Sequence, residues 1–258
     1  NANYDNEIIE EMKKAKDLCY EYNNIKPSER ELREKMIKKI LKKTGKNILV
    51  ESNFNCDYGY NIEVGENFYM NHNCVILDGA KVEFGDNVFV APNFGFYTAG
   101  HPIDIELRNK GLEYAKPIKV GNNVWIGGNV VVLPGVTIGD NVTIGAGSVV
   151  NKDIESNSIA VGNPCKVIMS LEEYHEKRKA AQVDEATELV KLYRERYGKE
   201  PDEHALHEFF WLFTNGEDKL PECWDSMMKL GGNYEYSKRT LRDNKKKFSN
   251  MKEFLKNV

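Results

Sequence analysis

The stretch VGNNVWIGGNVVVLPGVTIGDNVTIGAGSVV, residues 120–150, carries an Ile or a Val at every sixth position. A helix repeats about every 3.6 residues and a strand about every 2.0, so neither keeps such residues on one side. A coil of short strands and tight turns does, because each turn of the coil stacks its apolar residue above the previous one. The stretch therefore predicts a β-solenoid with small residues at its bends. The repeating residues are Val120, Ile126, Val132, Ile138, Ile144 and Val150.

A looser run of the same period precedes that stretch. Val64, Met70 and Ile76 keep the spacing of six residues. Phe84 and Val90 resume it after a slip of two residues. The slip predicts a widened corner in this part of the solenoid.

The chain divides into three predicted blocks. Residues 1–45 are predicted to form a helical cap over the open end of the solenoid, where unpaired strand edges would otherwise invite aggregation. Residues 46–168 form the repeat block, interrupted by the loop 98–119, which carries no hexad and holds charged and proline residues. Long irregular insertions of this kind are commonly functional. Residues 169–258 are predicted to form a helical extension.

Local signals mark the predicted helices. Asp5 is a candidate N-cap, and Ser28 with Glu31 forms a capping box before the second helix, with Gly45 as the stop. In the extension, the aromatic segment HEFFWLF, residues 207–213, must bury against other residues. Four further residues are predicted to share one helix face: Leu189, Val190, Tyr193 and Tyr197.

The composition limits the class of protein. The chain of 258 residues has a formal net charge of −4, which gives no basis for a nucleic-acid or membrane-surface partner. No apolar stretch approaches the ~18 residues of a membrane span. The five cysteines are odd in number and lack CxxC spacing, which predicts free thiols in a reducing compartment and a cytoplasmic location.

Four segments carry the motifs of one known family: YTAGHPID (97–104), ELRNKGLEYAKPIKVGNNVWIGG (106–128), IGAGSVVNKDI (144–154) and GNPCKVI (162–168). They resemble the maltose and galactoside O-acetyltransferases, hexapeptide-repeat acyltransferases that use acetyl-CoA. The resemblance covers residues 1–168 and rests on a histidine and a tryptophan that occur together at the family's spacing. It implies a left-handed parallel β-helix, a homotrimer with active sites between subunits, and a short segment preceding Asn1.

The resemblance implies the acceptor side of an active site. His101 matches the general base that takes a proton from a sugar hydroxyl, a task suited to a group that titrates near the working pH. Asn71 matches a catalytic residue that contacts the acceptor; a corner asparagine with left-handed backbone is the alternative. Asp57 and Glu113 match positions that line the sugar pocket, with solvated charge as the alternative. Trp125 matches the wall of that region, or packs against the repeat.

The same resemblance implies the donor side. The backbone N–H of Gly128 matches a group near the acetyl carbonyl, where it suits a developing oxyanion. Ala146 matches a position along the pantetheine arm of acetyl-CoA. Lys152 and Lys166 match basic positions near the phosphates of the coenzyme, with solvated charge as the alternative. The implied mechanism is direct transfer in a ternary complex, with acetyl-CoA as co-substrate and no metal.

Two other kinds of chemistry receive less support. Cys74 and Cys165 lack a partnered base at a recognisable spacing, so a covalent thiol route is not expected and both are predicted to be structural. A zinc enzyme resembling the β-helical carbonic anhydrases needs three protein ligands. The repeat block holds only His72 and His101 as histidines.

The extension leaves the acceptor open. Short maltose-type enzymes end soon after the GNPCKVI segment, whereas this chain continues through residues 169–258. The extension resembles that of some acyltransferases from polysaccharide or capsule gene clusters, which makes a polysaccharide precursor the alternative acceptor. A non-catalytic interaction protein, with the extension as its binding element, is the remaining class.

Overall fold

The computed structural model describes residues 5–230 and 234–258. The chain divides into two compact units between Tyr174 and His175. The first unit is a β-solenoid preceded by helices, the second is helical, and each has a hydrophobic core of its own. The block boundaries drawn at residues 45 and 168 stay predictions.

Three strands make up each coil of the solenoid, and strands of successive coils pair in parallel. Sheet A consists of Ile62–Val64, Val82–Phe84, Ile118–Val120 and Thr137–Ile138. Sheet B consists of Ile48–Val50, Phe68–Met70, Phe89–Val90, Trp125–Ile126, Thr143–Ile144, Ser158–Val161 and, antiparallel, Lys166–Ser170. Sheet C consists of Phe54–Cys56, Cys74–Leu77, Gly95–Tyr97, Val131–Val132 and Val149–Val150. The chain runs from A to B to C in each coil, so the corners stack into three edges, called AB, BC and CA here.

The register between strands measures the length of each coil. Val120 pairs with Ile138, so this coil is 18 residues long, which is three hexads. Ile62 pairs with Val82, which is 20 residues later, and the two additional residues lie at edge CA. The predicted widened corner is therefore confirmed. Val82 in turn pairs with Ile118, which is 36 residues later, because the insertion lies at the same edge.

Inward-facing side chains fill a narrow core. In the 18-residue coils these are Val and Ile, as with Val120 and Ile126, which are at most 1% exposed. The longer coils enclose a wider cross-section, and four phenylalanines fill it with ring centroids 4.2 to 5.1 Å apart. Burial of each such side chain contributes roughly 1.5–3 kcal/mol of transfer free energy. The four are Phe68, Phe84, Phe94 and Phe96.

Glycine in the second position of the hexad allows the coils to stack at edge AB. A Cβ atom added at Gly65 would lie 2.5 Å from the carbonyl oxygen of Gly85. A Cβ atom added at Gly85 would lie 2.7 Å from that of Gly121. The backbone of one coil therefore occupies the space that a side chain of its neighbour would need. The repeated glycine is a packing requirement.

A column of asparagines runs along the same edge. From Asn67 onward each takes a left-handed backbone conformation, with φ between 54° and 60°, which Asn tolerates better than most residues. Each Oδ1 accepts a hydrogen bond from the Nδ2 group of the preceding asparagine at 2.8 to 3.0 Å. The amides thus link all the coils in one register. The column consists of Asn47, Asn67, Asn87, Asn123, Asn141 and Asn157.

Two helices precede the first coil: α1, Asn6–Asn23, and α2, Arg30–Ile40. Asp5 caps α1 as predicted, because its carboxylate accepts hydrogen bonds from two backbone N–H groups of the first turn. The predicted capping box of Ser28 and Glu31 is wrong. The N-cap of α2 is Glu29, which makes no side-chain capping bond. The Glu29 N–H donates to the Lys26 carbonyl, so residues 26–29 form a turn. Ser28 lies within this turn and not at the helix start.

The cap is tied to the solenoid by a buried arginine. Arg33 donates to the Tyr22 hydroxyl at 3.2 Å and to the Val50 carbonyl at 3.1 Å, so both helices and the first strand share one hydrogen-bond network. Gly45 is not the helix stop that the sequence predicted, since α2 ends five residues earlier. A Cβ atom at Gly45 would lie 2.3 Å from the Gly65 carbonyl oxygen, so this glycine belongs to the stacked edge.

The insertion is more regular than the sequence predicted. Ala99–Gly100 pairs antiparallel with Tyr114–Ala115, and the short helix Ile105–Asn109 lies between the two strands. Strand Ile118–Val120 already belongs to sheet A, so the insertion ends at Pro117.

The second unit buries the aromatic segment that the sequence singled out. Phe210, Leu212 and Phe213 are at most 4% exposed, although the segment forms a 3-10 helix instead of the expected α-helix. The four residues predicted to share a face lie on one helix, and the ring centroids of Tyr193 and Tyr197 are 4.6 Å apart on it, although Val190 is buried and Tyr197 is 54% exposed. The helices are Leu171–Tyr197, which leads into the unit, His207–Leu212, Glu222–Leu230, Tyr234–Arg242 and Met251–Lys256.

Among the residues that the structure describes, no helix has the length and apolar character needed to cross a membrane.

Replacing a stacked glycine is expected to separate two coils. Gly85→Ala should lower the free energy of unfolding by about 1–3 kcal/mol, because the added Cβ overpacks edge AB. Gly79→Ala is the matched control, since a Cβ there meets nothing closer than 3.5 Å. Urea denaturation followed by circular dichroism measures both. Equal stability of the two variants would contradict the tight stacking.

Candidate active site

The insertion brings His101 and Glu113 side by side. The two residues leave the antiparallel ribbon at the same end, because Gly100 pairs with Tyr114. His101 Nε2 lies 3.8 Å from Glu113 Oε1, and its Nδ1 faces the Leu112 carbonyl at 3.4 Å. A neutral ring that directs its Nδ1 proton to this carbonyl keeps its lone pair on Nε2. The side chain is 55% exposed, so the lone pair is accessible to a ligand.

A buried carboxylate organises the widened corner below the insertion. Asp78 is 0% exposed, and its Oδ1 accepts from the N–H groups of Asp57 and Tyr58, both at 2.9 Å. Its Oδ2 accepts from the N–H of Gly59 at 2.7 Å. Burial raises the pKa of Asp78, and the three N–H donors act in the opposite direction. These bonds join the corner of residues 57–59 to the next coil through the Asp78 side chain of that coil.

The corner presents Asp57 to the same edge as the insertion. Burial raises the pKa of Asp57, and the neighbouring Asp78 and Glu113 carboxylates raise it further, whereas Lys16 lowers it. Asp57 is only partly exposed. The alternative of a fully solvated charge therefore does not describe it. Of the predicted site residues, the structure brings His101, Asp57 and Glu113 together at edge CA.

Edge BC carries Gly128 and Ala146 in the same corner position of successive coils. Gly147 N donates to the Gly128 carbonyl at 2.8 Å, and Gly127 N donates to the Ile144 carbonyl at 2.8 Å. The N–H groups of Gly128 and Ala146 themselves donate to no group in the described part of the chain. The edge therefore offers two hydrogen-bond donors in line, suited to carbonyl oxygens of a ligand.

Asn71 and Trp125 also lie by edge BC. The left-handed residue of this corner is Asn73, with φ 62°, so the corner alternative for Asn71 is wrong. Asn71 Oδ1 accepts from the N–H of His72 at 2.7 Å. Trp125 is 55% exposed and is not packed inside the repeat. With Phe89 and Asn71 it lines a groove of about 360 Å³.

The two predicted phosphate-binding lysines do not lie together. Lys152 follows the last strand of sheet C and is exposed at edge CA. Lys166 opens the last strand of sheet B, after a turn that closes edge BC. In that turn the Gly162 carbonyl accepts from Val149 N at 3.0 Å. Within one chain only Lys166 lies at the end of the edge that carries the two free N–H groups.

The thiols lack the environment of a nucleophile. Burial raises the pKa of Cys74 to about 11, and burial likewise raises the pKa of Cys165. The Cys74 Sγ faces backbone carbonyls, the nearest being that of Asn71 at 3.1 Å. A thiol that stays protonated is a poor nucleophile, which supports the structural role predicted for both.

Metal ligands are not assembled in the described ranges 5–230 and 234–258. No three His, Cys, Asp or Glu side chains in these ranges are placed to hold a metal ion. The His72 ring faces the Ser52 carbonyl through Nδ1 at 2.8 Å, on edge BC, whereas His101 lies on edge CA.

The predicted site residues thus occupy two different edges. His101, Asp57 and Glu113 lie at edge CA, whereas Asn71 and Gly128 lie at edge BC, with sheet C between the edges. One copy of the chain presents the imidazole and the free N–H groups separately.

Sequence reasoning missed Asp78 and the two tyrosines that follow Asp57. The LDGAK segment around Asp78 has the composition of an ordinary exposed turn. The two-residue slip between Ile76 and Phe84 marks the corner that holds Asp78, but the sequence does not indicate that this carboxylate binds the backbone of residues 57–59.

Family models match the chain in two places. The bacterial transferase hexapeptide model, of six repeats, matches residues 117–152, and the maltose acetyltransferase hexapeptide capping motif matches residues 1–45. A putative acetyltransferase from Saccharomyces cerevisiae is 54% identical over 172 residues, which cover 67% of this chain and 88% of the relative.

Solved structures share the solenoid. A maltose O-acetyltransferase from Clostridium difficile 630 has a TM-score of 0.64 and 55% identity, covering 64% of this chain and 89% of that one. A galactoside acetyltransferase in complex with coenzyme A has a TM-score of 0.64 and 48% identity, covering 65% of this chain and 84% of that one. The solenoid is a left-handed parallel β-helix, as the resemblance implied. The chain belongs to the maltose and galactoside O-acetyltransferase family of hexapeptide-repeat acetyltransferases.

Proposed function

We propose that the protein transfers the acetyl group of acetyl-CoA to a hydroxyl of a sugar or glycan, with His101 as the general base. The observation that carries this proposal is the placement of an accessible imidazole beside Glu113, at an edge that also presents Asp57. Carboxylates suit a sugar because its hydroxyls need directional hydrogen-bond acceptors. The relative solved with coenzyme A supports the choice of donor.

The chemistry uses one proton carrier. His101 Nε2 takes the proton of the acceptor hydroxyl while that oxygen attacks the thioester carbonyl carbon. The carbon–sulfur bond then breaks, and the imidazolium returns the proton to the departing thiolate. Glu113, at 3.8 Å, stabilises the transient positive charge on the ring. No covalent intermediate on the protein is needed, in keeping with the protonated thiols of Cys74 and Cys165.

Edge BC is the proposed site for the coenzyme. The free N–H of Gly128 suits the acetyl carbonyl, where negative charge develops, and the free N–H of Ala146 suits the amide of the pantetheine arm. A Cβ at Gly128 would meet nothing of its own chain within 3.4 Å, so a ligand's close approach accounts for this glycine better than packing does. Lys166, at the end of the edge, supplies positive charge for the phosphates.

We also propose a homotrimer, in which the insertion of one copy reaches edge BC of the next. Outward residues of sheet B pair in one row, and three of them are exposed by 45 to 55%. Ile103, at the tip of the insertion, is 93% exposed. Apolar surface of this extent favours burial in an assembly, and a heterologous contact that closes on itself forms a ring. The exposed members of the row are Leu49, Phe89 and Trp125.

The second candidate acceptor is a polysaccharide precursor. The observation in its favour is the helical unit from His175 to Val258, which has its own core and lies outside the matched family models. A separate unit of this kind suits a larger acceptor. Acetylation assays with monosaccharides and oligosaccharides compare the two classes.

Removal of the proposed base tests the mechanism. His101→Ala should lower kcat for acetyl transfer by about 10²–10⁴-fold, because no group then takes the hydroxyl proton. The dissociation constant for acetyl-CoA should not change, since edge BC is intact. Release of CoA with a panel of sugars measures turnover, and calorimetry measures binding. His204→Ala is the control histidine, since His204 belongs to the second unit, which holds no proposed site residue. Wild-type turnover in His101→Ala would remove the imidazole from the mechanism.

Mixed trimers test whether the site lies between copies. His101→Ala and Asn71→Ala homotrimers should both have a lower acetyl-transfer activity than the wild type. A mixed ring contains one interface where an intact His101 meets an intact Asn71, so differently tagged mixed trimers should recover about one third of wild-type activity. If both residues act within one copy, every site in the mixture carries a substitution, and no activity returns.

Removal of the second unit tests its role. A chain that ends at Tyr174 keeps the last strand of sheet B and the Leu171 N–H bond to the Asn157 carbonyl. It should keep most of its kcat/KM for small sugars, because all proposed site residues lie in the first unit. It should stay trimeric but be less soluble. Loss of activity in a folded trimeric truncation would assign the second unit to the active site.

A further inference from the structure

The corner of residues 57–61, at edge CA, carries two tyrosine rings that the proposed proton transfer does not use. The centroids of Tyr58 and Tyr60 are 5.4 Å apart, with the ring planes inclined by 39°. Tyr60 is 43% exposed, Tyr58 is half-buried, and neither belongs to the hydrophobic core of the first unit. Core packing therefore does not account for these two rings.

Hydrogen bonds hold both tyrosines in place. The bonds from Asp78 to the N–H groups of residues 57–59 fix the backbone of Tyr58. The Asn61 Nδ2 group donates to the Asp78 carbonyl at 2.7 Å, which closes the corner. The Tyr60 hydroxyl donates to Glu11 Oε2 on α1 at 2.7 Å. A ligand that contacts these rings therefore orders little of the protein when it binds.

The rings share an edge with the proposed acceptor-binding residues. Burial raises the pKa of Tyr58, and the Asp57, Asp78 and Glu113 carboxylates raise it further, so all three act on this phenol. Glu113 in turn lies beside His101. A molecule resting on Tyr58 therefore lies on the same edge as the group that removes the hydroxyl proton.

The charge around the rings has one dominant sign. The carboxylates of Glu11, Asp57, Asp78 and Glu113 all act on Tyr58, and Lys16 is the cation that acts on Asp57. An anionic ligand would meet like charges beside carboxylates that are partly or fully buried, where repulsion costs more than in water. A neutral polyhydroxylated ligand finds hydrogen-bond acceptors in the partly exposed members of this group, Asp57 and Glu113.

A pyranose ring matches both properties. One of its faces presents C–H groups that pack on the face of an aromatic ring, while its hydroxyls point outward in the plane of the ring. Stacking on a tyrosine therefore leaves the hydroxyls free to donate to surrounding carboxylates.

We propose that Tyr58 and Tyr60 form the platform on which a neutral pyranose acceptor stacks, and that the surrounding carboxylates exclude uronic acids and other anionic sugars. This inference rests on the proposed function and deepens it, since it names the acceptor class and assigns Tyr58 as a specificity-determining residue.

Paired acceptors test the charge selection in the protein without substitutions. Methyl glucopyranoside, galactopyranoside and mannopyranoside are each compared with the matching methyl uronate carrying a free carboxylate, at saturating acetyl-CoA. The neutral member of the best pair should have a kcat/KM at least about tenfold higher than the uronate, and added salt should narrow the gap. Equal use of both members, or preference for the uronate, overturns the proposal.

Variants of Tyr58 test the platform. Tyr58→Leu should raise KM for the best neutral sugar about tenfold and leave KM for acetyl-CoA unchanged, whereas Tyr58→Phe, which keeps the ring, should behave like the wild type. Tyr20→Leu is the control for loss of an exposed ring, since Tyr20 is 72% exposed on α1. If Tyr58→Leu fails to fold by circular dichroism, Tyr60→Leu replaces it. An unchanged sugar KM in a folded variant overturns the platform.

Different results contradict the proposed acetyl transfer and the tyrosine platform. A wild-type protein that binds acetyl-CoA but acetylates none of the sugars contradicts the proposed function. A wild-type protein that acetylates neutral and anionic sugars equally contradicts only the platform and its charge selection.

Discussion

The close approach of successive coils at edge AB is the constraint on which the first unit depends. With no room for Cβ atoms at Gly65, Gly85 and Gly121, backbone lies directly on backbone, and Gly85 N donates to the Val120 carbonyl at 2.9 Å. An 18-residue coil then returns to the same edge at each turn. Every position of the hexad becomes a column: one is buried, one carries the linked asparagines, and one faces outward. Functional groups are therefore distributed by edge.

The edges differ in regularity, and the proposed coenzyme and acceptor groups lie on different edges. Edge BC keeps its short corners, where Gly128 and Ala146 leave their N–H groups unbonded in the described chain. Edge CA departs from the regular length in successive coils, first by two residues and then by the insertion. Additional residues can project there without separating the stacked backbones of edge AB. At the corner of residues 57–59, three backbone N–H groups donate to the Asp78 carboxylate. Burial of this carboxylate costs free energy.

The sequence predicted the solenoid because a buried column requires the same residue type in every coil, and this leaves a period that no helix or flat strand shares. It could not supply the handedness, since a period of six fits either hand; that came from family resemblance. His101 and Glu113 are 12 residues apart, and only the antiparallel ribbon places them together. The sequence around Asp78 is that of a solvated turn. Only the structure shows that the backbone N–H groups of residues 57–59 donate to its carboxylate. The capping box failed because a turn at Glu29 shifted the helix start.

The central claim is that stacked coils of one copy present the coenzyme along edge BC to the imidazole of its neighbour. A crystal structure of the assembled protein with CoA tests it most directly. The account predicts the sulfur of CoA beside the N–H of Gly128 in one copy and within reach of His101 Nε2 from the adjacent copy. A structure with CoA on another surface, or with the His101 ring directed away from every groove between copies, would contradict it.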